Sequence, residues 1–350
     1  MREGAGQWQI GVFRTSGRVW EGFAGTASGC YRWRMIINAA ISRRDGLLGI
    51  GLATAGGVFR VPGAVLDALG CPMGFGTYGL PGHSLGDAVK RVAAAGFTSV
   101  EIVSIPGCHG DPDTLTKPQR REIRGLIEGL GLQMGALMGL PFPEQNRLEA
   151  NRDRLKRLLE LAGDLATGAP PLIQSVLGGG LWEEKKNLFR DVLGDWVALA
   201  GRAGVRLSIK PHRGHAMSRP EDAVWLIRQL NAGDRLSLVY DYSHYAFRGM
   251  SVEETVDVAL PHTGYLVMKD AIQHGGKVRF ALPGESAGFP HEQVLRRFYE
   301  GGYRGEVCCE VSSQVWRASG YDPQSAIKTC QVNMSGIFAA AGVVPRRRAR

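Results

Sequence analysis

The chain has little of what marks several large enzyme classes. Its six cysteines, at 30, 71, 108, 308, 309 and 330, include no Cys-x-x-Cys pair, which leaves no zinc-ribbon or thioredoxin-type spacing. None of them is accompanied by the histidine pattern of a cysteine nucleophile. Gly178-Gly179-Gly180 lacks the Lys-Ser/Thr of a phosphate loop and the spacing of a dinucleotide loop, so it reads as a turn. A net charge of +9 is also less than it looks. Of 42 basic and 33 acidic side chains, residues 1–70 hold 8 and 4, and residues 346–350 hold four arginines. The remainder carries 30 basic and 29 acidic groups, too even a balance for a nucleic-acid face.

The front of the chain is distinct from the rest. Residues 1–34 show neither helical nor strand periodicity and read as an over-extended or disordered start, with Met35 as the expected initiator. Residues 35–72 read as an export segment: Arg43-Arg44 precede a Gly/Ala-rich apolar stretch, Gly46 to Phe59, as in a twin-arginine signal. That stretch is too short for a membrane span, which needs roughly 20 strongly apolar residues. The expectation is a periplasmic protein with a mature start near residues 65–73 and no integral span after signal removal. A chance arginine pair on a cytoplasmic protein is the alternative. Ala68-Leu69-Gly70-Cys71 is a poor lipid-attachment sequence.

From residue 73 to 341, eight short apolar runs alternate with helical patterns. The strands expected are 73–78, 99–104, 133–140, 172–177, 205–211, 236–241, 264–270 and 306–312. The helices are 85–95, 117–130, 146–165, 183–201, 220–230, 252–260, 290–301 and 322–341, with 342–350 a basic, disordered tail. Glycines such as Gly96, Gly131 and Gly204 stop helices before strands. This is α/β chemistry of one kind, a single (β/α)8 barrel of the TIM type with an N-terminal extension.

In such a barrel the active site lies at the carboxyl ends of the strands. Alternation sends Leu207 and Ile209 outward and Ser208 and Lys210 inward. By the same rule Val239 and Asp241, and Cys308 and Glu310, face the axis. Lys210, Asp241 and Glu310 are therefore expected to converge at the mouth, and unpaired charge there would be costly as mere packing. Lys269 also faces inward, with Asp270 as a partner for it. The adjacent Cys308 and Cys309 read as small apolar residues on opposite faces.

Several segments together resemble the xylose isomerase-like sugar phosphate isomerase/epimerase superfamily, over about residues 73–341. They are Ala94-Ala95-Gly96-Phe97-Thr98-Ser99-Val100-Glu101, Val239-Tyr240-Asp241-Tyr242-Ser243-His244, Met268-Lys269-Asp270, Leu282-Pro283-Gly284-Glu285 and Gly302-Tyr303-Arg304-Gly305-Glu306-Val307-Cys308-Cys309-Glu310-Val311-Ser312. The resemblance implies a divalent metal (Mn, Mg, Co or Zn) held by Glu, Asp, His and Glu, and proton transfer beside a sugar carbonyl. Here the chain departs from the pattern, because Lys210 replaces the first Glu and Val267 the His. Two outcomes follow. A shifted metal site would use Asp241 and Glu310 with His212 or His244 as nitrogen ligand. Otherwise Lys210 is itself the cation that stabilises an enediolate oxygen.

By carry-over Glu310 is the base, with Lys210 and His244 completing the catalytic set. Glu101, His109, Trp182, His212, Lys269 and Glu285 are the expected substrate binders. The implied function is an isomerase or epimerase acting on a sugar, keto-sugar or cyclitol. A lyase or dehydratase using the same proton abstraction, and a carbohydrate-binding barrel without catalysis, are the rival readings. The DNA-repair endonuclease branch, with its histidine-rich zinc site, is unsupported by eight histidines and a neutral barrel. Oligomerisation is left open.

Overall fold

The computed structural model describes the backbone of residues 9–15, 18–24 and 32–36, and residues 70–139 and 141–347 in full. The chain divides into two units, residues 1–59 and 60–350. In the first, β1 (Gln9–Thr15), β2 (Arg18–Ala24) and β3 (Arg32–Ile36) form an antiparallel sheet where no element was expected. Gly11 pairs with Gly22, and glycines opposite one another interrupt the apolar alternation that would have revealed the strands. Residues 37–69, which hold the twin-arginine segment, and 348–350 of the tail lie outside the described residues. Among the described residues no helix is long and apolar enough to cross a membrane.

The second unit is a closed, all-parallel barrel of eight strands. They are β4 (Met73–Gly76), β5 (Ser99–Val103), β6 (Gln133–Met138), β7 (Leu172–Ser175), β8 (Leu207–Ile209), β9 (Leu236–Tyr240), β10 (Thr263–Met268) and β13 (Val307–Cys309). Around it run α1 (Leu85–Ala95), α2 (Lys117–Gly129), α3 (Leu148–Asp164), α4 (Trp182–Arg202), α5 (Pro220–Gln229), α6 (Val252–Ala259), α7 (His291–Glu300) and α9 (Pro323–Ala341), with a short α8 (Ser313–Trp316). The fold class read from the sequence is the one observed.

Local chemistry sets the ends of these elements. Ser84 accepts the Asp87 amide at the start of α1, and Gly96, at φ 99°, closes it in the left-handed region. Thr116 with Gln119, and Ser251 with Glu254, form capping boxes on α2 and α6. Outward strand residues such as Phe75, Leu207, Ile209, Leu238, Tyr240 and Cys309 join the helix faces in one continuous core. A second, small apolar cluster of Ala136, Val239, Tyr265, Val267 and Cys308 fills the barrel axis. The pleat predicted for strands eight, nine and thirteen is thus the observed one.

In the barrel unit the sequence reading lacks the short α8 and a hairpin. Between the seventh barrel strand and α7, β11 (Asp270–His274) and β12 (Lys277–Ala281) form an antiparallel hairpin. Gly275 and Gly276, both at positive φ, make its turn.

Candidate active site

The barrel ladder aims the charged side chains. The Lys210 amide donates to the Ser175 carbonyl at 2.9 Å, and the Glu310 amide to Met268 at 3.0 Å, so both backbones are fixed one residue past their strands. Asp241 caps the turn after β9, accepting from the Ser243 amide at 3.1 Å and hydroxyl at 2.6 Å through Oδ1. Lys269 joins β10 to the hairpin. Their side chains meet in one cluster. Lys210 Nζ lies 2.5 Å from Glu310 Oε2 and 3.8 Å from Asp241 Oδ2. Lys269 Nζ lies 2.9 Å from Glu310 Oε1 and is hydrogen-bonded to Asp241 Oδ2. Two ammoniums thus bridge two carboxylates.

The cluster is largely shielded from water, with exposures of 0 % for Asp241, 1 % for Lys269, 4 % for Lys210 and 8 % for Glu310. Glu310 is its most accessible member. Burial alone would depress the Lys210 ammonium, but Glu310 and Asp241 outweigh it and hold its pKa well above the usual lysine value. Burial would raise both acids, yet Lys210 and Lys269 bring Glu310 down to about 2. Lys269 and His244 likewise hold Asp241 well below the usual range. Lys210, Glu310 and Asp241 are therefore held in their charged forms at neutral pH.

Neutral imidazoles flank the charges. The His244 ring is completely buried, and burial with the nearby Lys269 ammonium lowers its pKa to about 4. Its Nδ1 accepts from the Arg213 amide at 3.4 Å, which leaves Nε2–H to face Asp241 Oδ2 at 3.3 Å. His212 stacks on it at 4.0 Å and on His215 at 4.4 Å. Burial and these two rings push His212 down to about 2. Its Nδ1–H donates to its neighbour's carbonyl at 2.8 Å, so the lone pair sits on Nε2. From the hairpin, Phe280 sets its ring 4.9 Å from Lys269 Nζ and edge-on to His244.

Other expected site residues lie elsewhere. Asp270 does not pair with Lys269. It turns away from the axis and accepts from the Gly284 and Ser286 amides and from His291 Nε2, at 2.9, 2.5 and 2.6 Å. Successive strand residues point to opposite faces, so the two neighbours could not share one volume. Trp182 packs edge-on against Trp225 at 5.7 Å, in the seam between α4 and α5, rather than presenting a face to the mouth. Exposed Glu285 accepts the Leu282 amide at 3.0 Å within its own loop. His109 Nδ1 bonds the His83 carbonyl at 3.2 Å, with no contact to the cluster among the described residues. Gly82-His83-Ser84-Leu85-Gly86 has the spacing of a serine-hydrolase elbow, but Ser84 is a helix cap bonded to Asp87 at 2.7 Å.

Glu101 is brought to the centre, just under the ion pairs. Gly76 pairs with Glu101 on β5, and on its other side β13 runs level with Cys309 opposite Phe75, which puts Glu310 opposite Gly76. A Cβ on Gly76 would come within 2.9 Å of Glu101 Oε1. Gln174 Nε2 donates to the other oxygen. Burial raises the Glu101 pKa to about 8, although Lys210 opposes the shift. The sequence reading missed Gln174, Tyr265 and Glu306. The last is detectable from alternation, since 306 precedes 308 and 310 on the inward face.

The profile of the xylose isomerase-like TIM barrel family matches residues 89–329, and the chain belongs to that family. Solved structures agree in fold. A xylose isomerase-like TIM barrel protein from Mycobacterium smegmatis, in complex with magnesium, superposes with a TM-score of 0.59 at 18% identity, over 77% of this chain and 96% of that one. The 3-keto-D-glucoside 4-epimerase from E. coli gives 0.60 at 14% identity, over 77% and 99%. A D-psicose 3-epimerase studied in the presence of D-fructose gives 0.63 at 14%, over 77% and 99%. No curated protein matches the chain.

Magnesium in the first of these relatives raises the question of a metal here. The donor set does not fit one. Both carboxylates that would bind a cation are already engaged by ammoniums, and Val267 offers no lone pair. Among the described residues no group of three His, Cys, Asp or Glu is placed to hold a metal ion. His212 stacks on His244 rather than joining the carboxylates.

Proposed function

We propose that the chain is a sugar isomerase or epimerase that moves a proton at the carbon beside a carbonyl, with Lys210 and Lys269 as its cations. The single observation carrying this reading is the lysine pair spanning Asp241 and Glu310 at the mouth of a family barrel. The substrate is a small carbohydrate, a keto-sugar or a cyclitol ketone, a reading favoured by the epimerases among the structural relatives.

The substrate carbonyl oxygen approaches the two ammoniums, and Glu310, the acid most open to solvent, takes the proton from the adjacent carbon. Electrons of that C–H bond become the C–C double bond, and the carbonyl electrons become an enediolate oxygen held between fixed positive charges. Such preorganised donors are worth about 10²–10³ in rate when one is removed. At rest Glu310 is a weak base because both ammoniums bind it. Engagement of the ammoniums by the substrate oxygen frees it and moves its pKa toward working range. Asp241 positions Lys269 and the neutral His244, whose ring with His212 and Phe280 walls the mouth.

The test is solvent exchange. The protein is incubated in deuterium oxide with a panel of ketohexoses and keto-cyclitols, and loss of the C–H signal is followed by NMR. The expected result is deuterium at the carbon beside the carbonyl of at least one substrate, reduced about a hundredfold or more in Lys210→Met, Lys269→Met and Glu310→Gln. Exchange with none of the panel, from folded protein, would leave a binding barrel as the better reading. Water loss from the substrate accompanying exchange would instead indicate a dehydratase.

A further inference from the structure

TIM barrels ordinarily fill their axis with apolar side chains. Below Glu101 this one buries a second acid that nothing in the reaction above uses. Glu306 stands at the amino end of the axis, 4 % exposed, and the barrel is carved around it. A Cβ on Gly74 would come within 2.3 Å of its Oε1, and one on Gly135 within 1.7 Å of its Oε2. Tyr265, itself on the axis, donates its hydroxyl to Glu306 Oε1 at 3.2 Å. The same phenol lies near enough to Glu101 to favour its ionised form. Glu306 Oε2 accepts no hydrogen bond among the described residues, the nearby Ser99 hydroxyl donating instead to the Gln133 carbonyl at 3.0 Å. It borders a cavity of about 640 Å³ at the barrel's amino end, lined by Gly135, Thr167, Leu172, Arg206, Tyr265 and Glu306.

We infer that Glu101, Tyr265 and Glu306 form a proton path along the barrel axis, joining the Lys210–Glu310 cluster to water in the amino-end cavity. Its purpose rests on the reading of that cluster as a proton-transfer site, but its existence does not. The transfer is balanced by a swap through the phenol. Glu101–COOH gives its proton to the Tyr265 oxygen while the Tyr265 proton passes to the Glu306 carboxylate, leaving Glu101 ionised, Tyr265 neutral and Glu306 protonated. Water in the cavity then takes the proton from Glu306. The reverse sequence recharges Glu101. Two observations suit this role. Burial brings both acids to about 8, so neither end is a deep proton trap for the other. A buried acid with an unbonded oxygen is also a costly filler that apolar side chains would replace without penalty.

The path is testable without substrate. Protonated carboxyl groups have a resolved infrared carbonyl band that shifts on deuteration, and loss of a band in Glu101→Gln assigns the Glu101 group. Wild-type protein is transferred from water to deuterium oxide at pH 8, where Glu101 still carries its proton in about half of the molecules and Glu306 is free to accept one in about half, and the shift of the Glu101 band is timed. Tyr265→Phe and Glu306→Gln are each expected to slow it at least tenfold. An unchanged rate in either folded variant would overturn the proposal, because the proton would then be exchanging through the mouth. The phenylalanine variant removes one oxygen only, so the test survives if the glutamine variant fails to fold. Substrate exchange by the wild type, measured separately, decides the isomerase reading on its own terms.

Discussion

Lys210 and Lys269 touch the same two acids but guard different ones. Lys269 is the hydrogen-bond partner of Asp241, which has no exposure at all, whereas Lys210 sits against Glu310, which reaches solvent. Removing one member of a buried pair typically costs about 3–5 kcal/mol, because the other charge is left without compensation. Lys269→Met should therefore destabilise the fold more than Lys210→Met, which leaves Glu310 both Lys269 and some water. Urea unfolding at pH 7 measures the difference; equal losses would mean that Asp241 is satisfied by Ser243 and His244 alone. Lys210 was legible in the sequence because alternation fixes its direction. The second ammonium's partner was misread: Asp270, adjacent in sequence, points to the opposite side, and Lys269 pairs across the barrel instead.

At the scale of elements, Asp270 clamps the inserted hairpin. Its two oxygens gather the Gly284 and Ser286 amides and the His291 ring, closing the loop that begins with β11 and ends at α7. Burial would raise its pKa, yet His291 and these amides hold it below the usual carboxylate value. Asp270→Ala should cost about 3 kcal/mol or more and loosen the hairpin that carries Phe280 over Lys269. Amide hydrogen exchange checks this: faster exchange confined to residues 270–286 is the expected pattern, and an unchanged hairpin would show that β11 and β12 hold themselves. Sequence periodicity found all eight barrel strands and their helices because each has one apolar face against a shared core. The hairpin escaped because it is short: β12 alternates exposed Lys277 and Arg279 with half-buried Val278 and Phe280, but over five residues only, and β11 loses the pattern at exposed Gln273 and His274.

At the scale of the whole molecule, the acids on the axis and the acids at the mouth pull stability in opposite directions with pH. Glu310 and Asp241 have lowered folded pKa values, so their contribution is present above about pH 4.5 and disappears as pH falls. Glu101 and Glu306 have raised ones. Their contribution is complete below the unfolded value of 4.5 and is lost as pH rises through about 8. Up to about pH 6.5 the buried neutral His212 and His244 pull the other way, because their lowered values leave the extra protons to the unfolded chain, so stability should peak near neutrality and fall between about pH 6.5 and 8, by about 1.4 kcal/mol per pH unit for each of the two acids. Glu306→Gln keeps the shape and removes one ionisation, so its unfolding free energy should fall along a slope about half as steep. Identical slopes in the two proteins would show that Glu306 does not titrate in that interval. None of this was readable from composition, which records only a neutral barrel; the environment of an acid depends on what the closed ring places beside it.

Both cations at the mouth are tethered to the polypeptide by covalent bonds. Their occupancy is set at translation, one pair per chain, and neither dilution nor a chelator can strip them. On the reading proposed above, exchange activity should survive exhaustive chelation, and loss of activity on treatment with a chelator would overturn it. The arrangement comes at the expense of a charge that can no longer be exchanged for one of different size or hardness.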